Sequence, residues 1–125
     1  MKLWSLFAVA LGGALGTLGR IGADLAMVGL PGGHELATLG VNVIGALGLG
    51  LVTGHGLPGI PGALREGITI GVLGSYTTMS GVVLIALVLP GLGIAYLLAT
   101  IILGLTSAWI GYVLGARFSP ERRTR

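Results

Sequence analysis

The sequence predicts an all-α integral membrane protein of four transmembrane helices. Three observations carry that fold class. Of 125 residues, 54% are hydrophobic and only 9% are charged, where a soluble domain carries about 25% charged residues. Mean hydropathy is +0.99. Four segments also approach the length of about 20 apolar residues that a ~30 Å hydrocarbon core requires. There is no cysteine, which excludes disulfides and thiolate metal sites.

The first predicted span runs from about residue 3 to 27, with Arg20 and Asp24 near its far end. Lys2 and the apolar run behind it also resemble the start of a signal peptide. That run continues well past Ala14, which favours a span. The second span covers about 36–54 and is uncharged. The third covers about 67–89 and the fourth about 92–116, and no charged residue or histidine occurs between Gly67 and Ala116. Pro31-Gly32-Gly33, the stretch from Gly56 to Gly62 and Pro90-Gly91 read as turns. Residues 117–125 form a short basic tail. The whole is a single transmembrane domain.

Glycine occupies 25 positions. In membranes, small residues let helix backbones approach, and packing takes over from the hydrophobic drive. Gly12/Gly16, Gly50/Gly54, Gly67/Gly71 and Gly111/Gly115 have small-xxx-small spacing. They are read as helix-contact surfaces of a tight bundle.

The third span has a distinctive centre, Gly74-Ser75-Tyr76-Thr77-Thr78-Met79-Ser80-Gly81. Two glycines bracket four hydroxyl side chains besides that of Tyr76. Unpaired backbone is tolerated in hydrocarbon only where protein buries it or a wet cavity meets it. Polar residues at that depth mark a functional site by default. The segment predicts a helix broken in mid-membrane. Asn42 stands alone among apolar residues of the second span. Its amide suits either an interhelical hydrogen bond or contact with an anion. Tyr96 and Thr100, spaced i, i+4, share a face of the fourth helix. Their hydroxyls suit a polar track or bonds to nearby backbone.

With four spans, the N-terminus, the second loop and the C-terminus share one side. That side holds Lys2, Arg65, Arg117, Arg122, Arg123 and Arg125. The positive-inside rule places both termini in the cytoplasm and predicts insertion in one orientation, in the plasma membrane.

Three segments in this order and spacing resemble the Fluc family of fluoride channels, also called CrcB proteins. They are the glycine-rich first helix ending at Gly19-Arg20, Thr38 to Gly45, and Gly71 to Gly81. The resemblance extends over about residues 10–115. It implies a passive channel that exports cytoplasmic fluoride and confers resistance to it. It implies a dimer of antiparallel subunits with two pores, and a structural sodium ion held by the backbone carbonyls of Gly74 and Thr77. Asn42, Ser80, Tyr96 and Thr100 become donors along the anion path, with Thr78 and Met79 on the same path. Arg20 becomes an anion-concentrating group in an aqueous vestibule. Its alternative roles are an i, i+4 pair with Asp24 or snorkelling to the interface. Neutral donors suit fluoride, because the ion must shed water and still leave.

The sequence departs from the family within the third helix, where Gly74-Ser75-Tyr76 stands for Gly-Gly-Phe and Gly81 for a threonine, and in its charge placement. The family's two pore phenylalanines fall on Met79 and Val82. Methionine is a polarisable substitute; valine offers nothing comparable. The charge bias also opposes a homodimer of inverted copies. The expected partner is therefore an oppositely oriented paralogue, in a heterodimer.

Two other functions are weighed. A small multidrug-exporter-like transporter needs a carboxylate in the membrane core, and Asp24 lies too near a helix end. A non-conducting scaffold or accessory subunit needs only helix packing. An enzyme is not expected, since His34 and His55 read as loop residues on opposite sides and no nucleophile–base pair can be assembled. Nucleic-acid binding is not expected either, since topology accounts for the basic tail.

Overall fold

The computed structural model describes residues 2–120. Its four long apolar helical segments run Leu3–Ala26, Gly33–His55, Gly62–Val88 and Gly93–Arg117. At 1.5 Å per residue even the 23-residue segment reaches about 34 Å, enough to cross the hydrocarbon core. We label α1 Leu3–Ala26 and α2 Gly33–His55. The third segment is composite: α3 Gly62–Glu66, a π-helical stretch Gly67–Leu73, α4 Gly74–Tyr76 and α5 Met79–Val88. The last helix is α6, Gly93–Arg117.

The third segment begins five residues before the point where the sequence reading starts it. Arg65 and Glu66 mark the membrane edge in sequence, but they lie inside the helical run. The arginine is accommodated because its Nη2 donates to the Leu57 carbonyl at 3.0 Å. His34 and His55 lie in the first and last turns of α2, not in loops. They are thus about 30 Å apart along one helix. Of the basic tail, Arg117 ends α6, and Arg122, Arg123 and Arg125 lie outside the described residues.

Glycine decides which helices touch. The four small-xxx-small motifs resolve into two facing pairs. On α2, a Cβ at Gly50 or Gly54 would run into the carbonyl oxygen of Ala108 or Tyr112 on α6. Reciprocally, a Cβ at Gly111 or Gly115 would meet the carbonyls of Leu47 or Leu51. On α1, Gly12 and Gly16 lie against the carbonyls of Gly67 and Val72. A Cβ on Gly67 or Gly71 would sit 2.9 or 2.8 Å from the Ala8 or Val9 carbonyl oxygen. The chain therefore interleaves: α1 pairs with the third segment and α2 with α6. Connections are tight, and Gly32, Gly56 and Gly91 adopt positive φ there, a conformation that costs glycine little.

The buried interior is small. Val41 and Val82 are its fully enclosed large side chains, with Ala37 and Ile85 nearly so. Many large apolar residues of the outer faces, such as Leu18, Leu87, Ile94 and Leu105, are exposed. They suit a solvent of lipid tails.

Candidate functional site

Backbone geometry at the centre of the third segment builds the site. Thr77 (φ −80°, ψ 154°) and Thr78 (φ −146°, ψ 117°) are extended, so α4 stops at Tyr76 and α5 starts anew at Met79. An interruption of this kind leaves helix-end donors and acceptors to be satisfied. Asn42 on α2 satisfies two of them. Its Oδ1 accepts from the Thr78 N–H at 2.7 Å and its Nδ2 donates to the Thr78 carbonyl at 3.0 Å. Of the two roles open to Asn42 in the sequence, the interhelical hydrogen bond is thus made, and made twice. One Nδ2 hydrogen remains.

Thr78 also caps α5, its Oγ1 accepting from the Gly81 N–H at 3.1 Å. Ser80 shares a hydroxyl–hydroxyl hydrogen bond with Thr78 at 3.3 Å. Whichever hydroxyl donates, the other keeps a free hydrogen. The Thr77 hydroxyl turns back and donates to the Leu73 carbonyl at 3.2 Å. Because the Thr78 N–H is taken by Asn42, the Gly74 carbonyl loses its ordinary i+4 donor. Its remaining contact is the Thr77 hydroxyl at 3.5 Å, at the limit of hydrogen-bond reach.

A groove of about 390 Å³ opens on this interruption, between α2 and α6. Asn42, Gly74, Thr77, Thr78, Met79 and Thr100 all border it, and most of its wall is apolar. Six of the residues singled out in the sequence therefore converge. Ser80 joins through Thr78. Tyr96 and Arg20 stand apart. Tyr96 reaches toward the start of α2, where its hydroxyl donates to the Glu35 carbonyl at 2.9 Å. Buried Thr100 donates to the Tyr96 carbonyl at 2.9 Å. Both hydroxyls are thus engaged by backbone, the second of the two roles their spacing allowed.

Arg20 lies on α1, half-buried. The i, i+4 pair with Asp24 is not formed. Among the described residues the ion pair at that end joins Asp24 Oδ1 to His34 Nδ1 at 3.0 Å. The start of α2 brings His34 over the end of α1 and takes the carboxylate.

Sequence reading missed Tyr76 as a wedge. Its ring fills the space that Gly19 on α1 and Gly45 on α2 leave open, so a Cβ at either would lie 3.3 Å from ring carbons. The signal was present as two glycines, one on each neighbouring helix. The two positions where the family carries phenylalanine also differ in kind. Met79 is 57% exposed beside the groove, whereas Val82 is completely buried within the subunit.

Residues 7–112 match the family described as CrcB-like protein, Camphor Resistance (CrcB). The chain is 42% identical over 119 residues to the fluoride-specific ion channel FluC of Deinococcus radiodurans, covering 87% of this chain and 93% of that protein. It is 39% identical over 114 residues to the fluoride-specific ion channel FluC of Thermus thermophilus, covering 86% and 91%. It is 38% identical over 118 residues to the fluoride-specific ion channel FluC 2 of Symbiobacterium thermophilum, covering 88% and 96%. These relatives are ion channels, not enzymes. With four membrane-length helices and a match along nearly its whole length, this chain belongs to the CrcB-like family.

Proposed function

We propose that this chain is a subunit of a passive, fluoride-selective channel through which fluoride leaves the cytoplasm. The observation that carries the reading is the Asn42–Thr78 clamp at the helix interruption. It holds an opened backbone in place beside a groove bordered by neutral polar groups. Fluoride is small, strongly hydrated and a strong hydrogen-bond acceptor. Neutral amide and hydroxyl donors can replace part of its water without trapping it. Asn42 offers its remaining N–H, and the Thr78–Ser80 pair offers one hydroxyl hydrogen. Met79 stands at the same opening with a polarisable side chain. Arg20 raises the local anion concentration at the α1 end of the path.

The Gly74 and Thr77 carbonyls fit a structural sodium ion. Both are neutral oxygen donors, the class hard cations take. Gly74 is released from its helical donor by the clamp, and Thr77 lies in the extended pair. Sodium bound there would supply positive charge at the interruption and hold the two carbonyls together.

The second subunit is an oppositely oriented paralogue, in our reading. The charge bias supports it, since six basic residues lie on one predicted side. Several relatives are numbered FluC 1 or FluC 2, as expected where a genome carries two versions. A second reading, a non-conducting scaffold within such an assembly, draws on Val82, where the family's aromatic is replaced by a buried side chain.

Fluoride efflux from liposomes tests these readings, followed with a fluoride electrode and with chloride as control. No efflux from the folded chain alone, restored by co-expression with an oppositely biased paralogue, is the expected result. Rapid selective efflux from the chain alone would overturn the heterodimer. Absence of efflux in both cases would favour the scaffold.

A further inference from the structure

At the end of the bundle that carries Lys2 and Arg65, away from the groove, a second cleft opens between the start of α1 and α3. It has a volume of about 600 Å³ and is bordered by Lys2, Trp4, Ser5 and Glu66. Glu66 is half-buried, and its Oε2 is fully buried yet accepts no hydrogen bond among the described residues. Lys2 borders the same cleft but lies beyond ion-pair distance of that carboxylate, since the ion pair among the described residues is elsewhere. An acid and a base thus face one space with room between them.

Trp4 is shared with an adjoining apolar groove of about 470 Å³ along the outer face of α1. Leu3, Phe7 and Ala10 line that groove at i, i+4 and i+7. They form a stripe about 10 Å long that starts at the polar cleft and runs toward the membrane interior. Trp4 is 76% exposed at the junction, the depth at which tryptophan settles between headgroups and acyl chains.

We propose that cleft and groove together bind one phosphatidylethanolamine molecule. Glu66 takes the primary ammonium by turning its enclosed, unpartnered Oε2 outward into the cleft, where N–H donors satisfy it. Lys2 takes the phosphate, and one acyl chain lies along the Leu3–Phe7–Ala10 stripe. The opposed charges select a zwitterion over an anionic lipid. The carboxylate's need for N–H donors selects ethanolamine over choline, which has none.

The chain has two tryptophans, so Trp109→Phe leaves Trp4 as the sole fluorophore. The full-length protein is placed in phosphatidylcholine bilayers containing acyl-brominated phosphatidylethanolamine or, in parallel, brominated phosphatidylcholine. Quenching should show a preference for ethanolamine of about tenfold, the size of one charge-assisted hydrogen bond. Glu66→Gln should bring the preference to about one. In the Trp109→Phe chain with Glu66 intact, brominated N-methyl and N,N-dimethyl lipids should bind progressively more weakly as N–H donors are removed, a series that needs no further variant. Equal quenching by all four lipids would overturn the proposal. So would absence of quenching by any, which would mean that protein covers this face of α1.

Discussion

Asn42→Ala is expected to destabilise the subunit by about 2–4 kcal/mol. The substitution removes both partners of Thr78, leaving an N–H and a carbonyl at the interruption. A buried unsatisfied group costs about 1–3 kcal/mol. Two such groups set an upper value of about 6, and the smaller scale of interhelical hydrogen bonds in membranes, about 0.6–2 kcal/mol each, pulls the figure down. Asn42→Asp separates the two halves of the clamp, since a carboxylate still accepts from Thr78 N–H but repels its carbonyl. Its loss should equal or exceed that of alanine. The assay is equilibrium unfolding in mixed detergent micelles, read beside fluoride efflux of the assembled channel. Stability within about 0.5 kcal/mol of the parent, with efflux abolished, would refute the clamp and make Asn42 a path donor alone. Stability and efflux falling together would leave the clamp in place.

Helix contacts make sharper contrasts. Gly50→Val should prevent folding, because any Cβ there strikes the Ala108 carbonyl, whereas Gly40→Ala meets nothing within 4 Å and should be neutral or stabilising by up to about 1 kcal/mol; the yield of folded protein on gel filtration separates them. Tyr96→Phe should cost about 1 kcal/mol through the lost bond to the Glu35 carbonyl, measured by the same unfolding titration. Asp24→Asn breaks an exposed pair and should change stability by less than about 1 kcal/mol. Val82→Phe should destabilise by about 1–3 kcal/mol through overpacking of a fully buried site, while Met79→Phe, at an exposed position beside the groove, should leave stability unchanged in the unfolding assay.

Spans were legible because hydrocarbon imposes length and composition directly, and the four glycine pairs were legible as contact surfaces. Which pair meets which was not, since small-xxx-small spacing names a face and not its partner. The third helical run also starts five residues before the apolar stretch that marks the span in sequence. Arg65 looks like a boundary until the Leu57 carbonyl is seen to receive it. Within the site, residue types pointed to the right places but not to what each group does. Asn42 amid apolar residues signals a hydrogen bond of high value, yet only the fold shows that both ends of the amide meet one residue 36 positions away. Tyr76 carried no signal of its own, because its role lies in the glycines that make room for it.

The commitments of the polar groups also bear on how many chains build a path. Thr77 and Thr100 border the groove, but both hydroxyl hydrogens are given to carbonyls of their own helical segments. Tyr96 gives its hydrogen to Glu35. Among the side chains at the groove, what remains is one amide hydrogen on Asn42 and one hydroxyl hydrogen from the Thr78–Ser80 pair, and the start of α5 adds the backbone N–H groups of Met79 and Ser80. Two side-chain donors and two backbone N–H groups on one side still fall short of enclosing a strongly hydrated anion, and the rest of the wall is mostly apolar. A path on this face that strips water from fluoride therefore needs donors or aromatic edges from a second chain across the groove. This reasoning is independent of the charge bias, since it counts hydrogens and not arginines; it calls for a second chain opposite Met79, and the charge bias is what makes that chain a paralogue and not a copy.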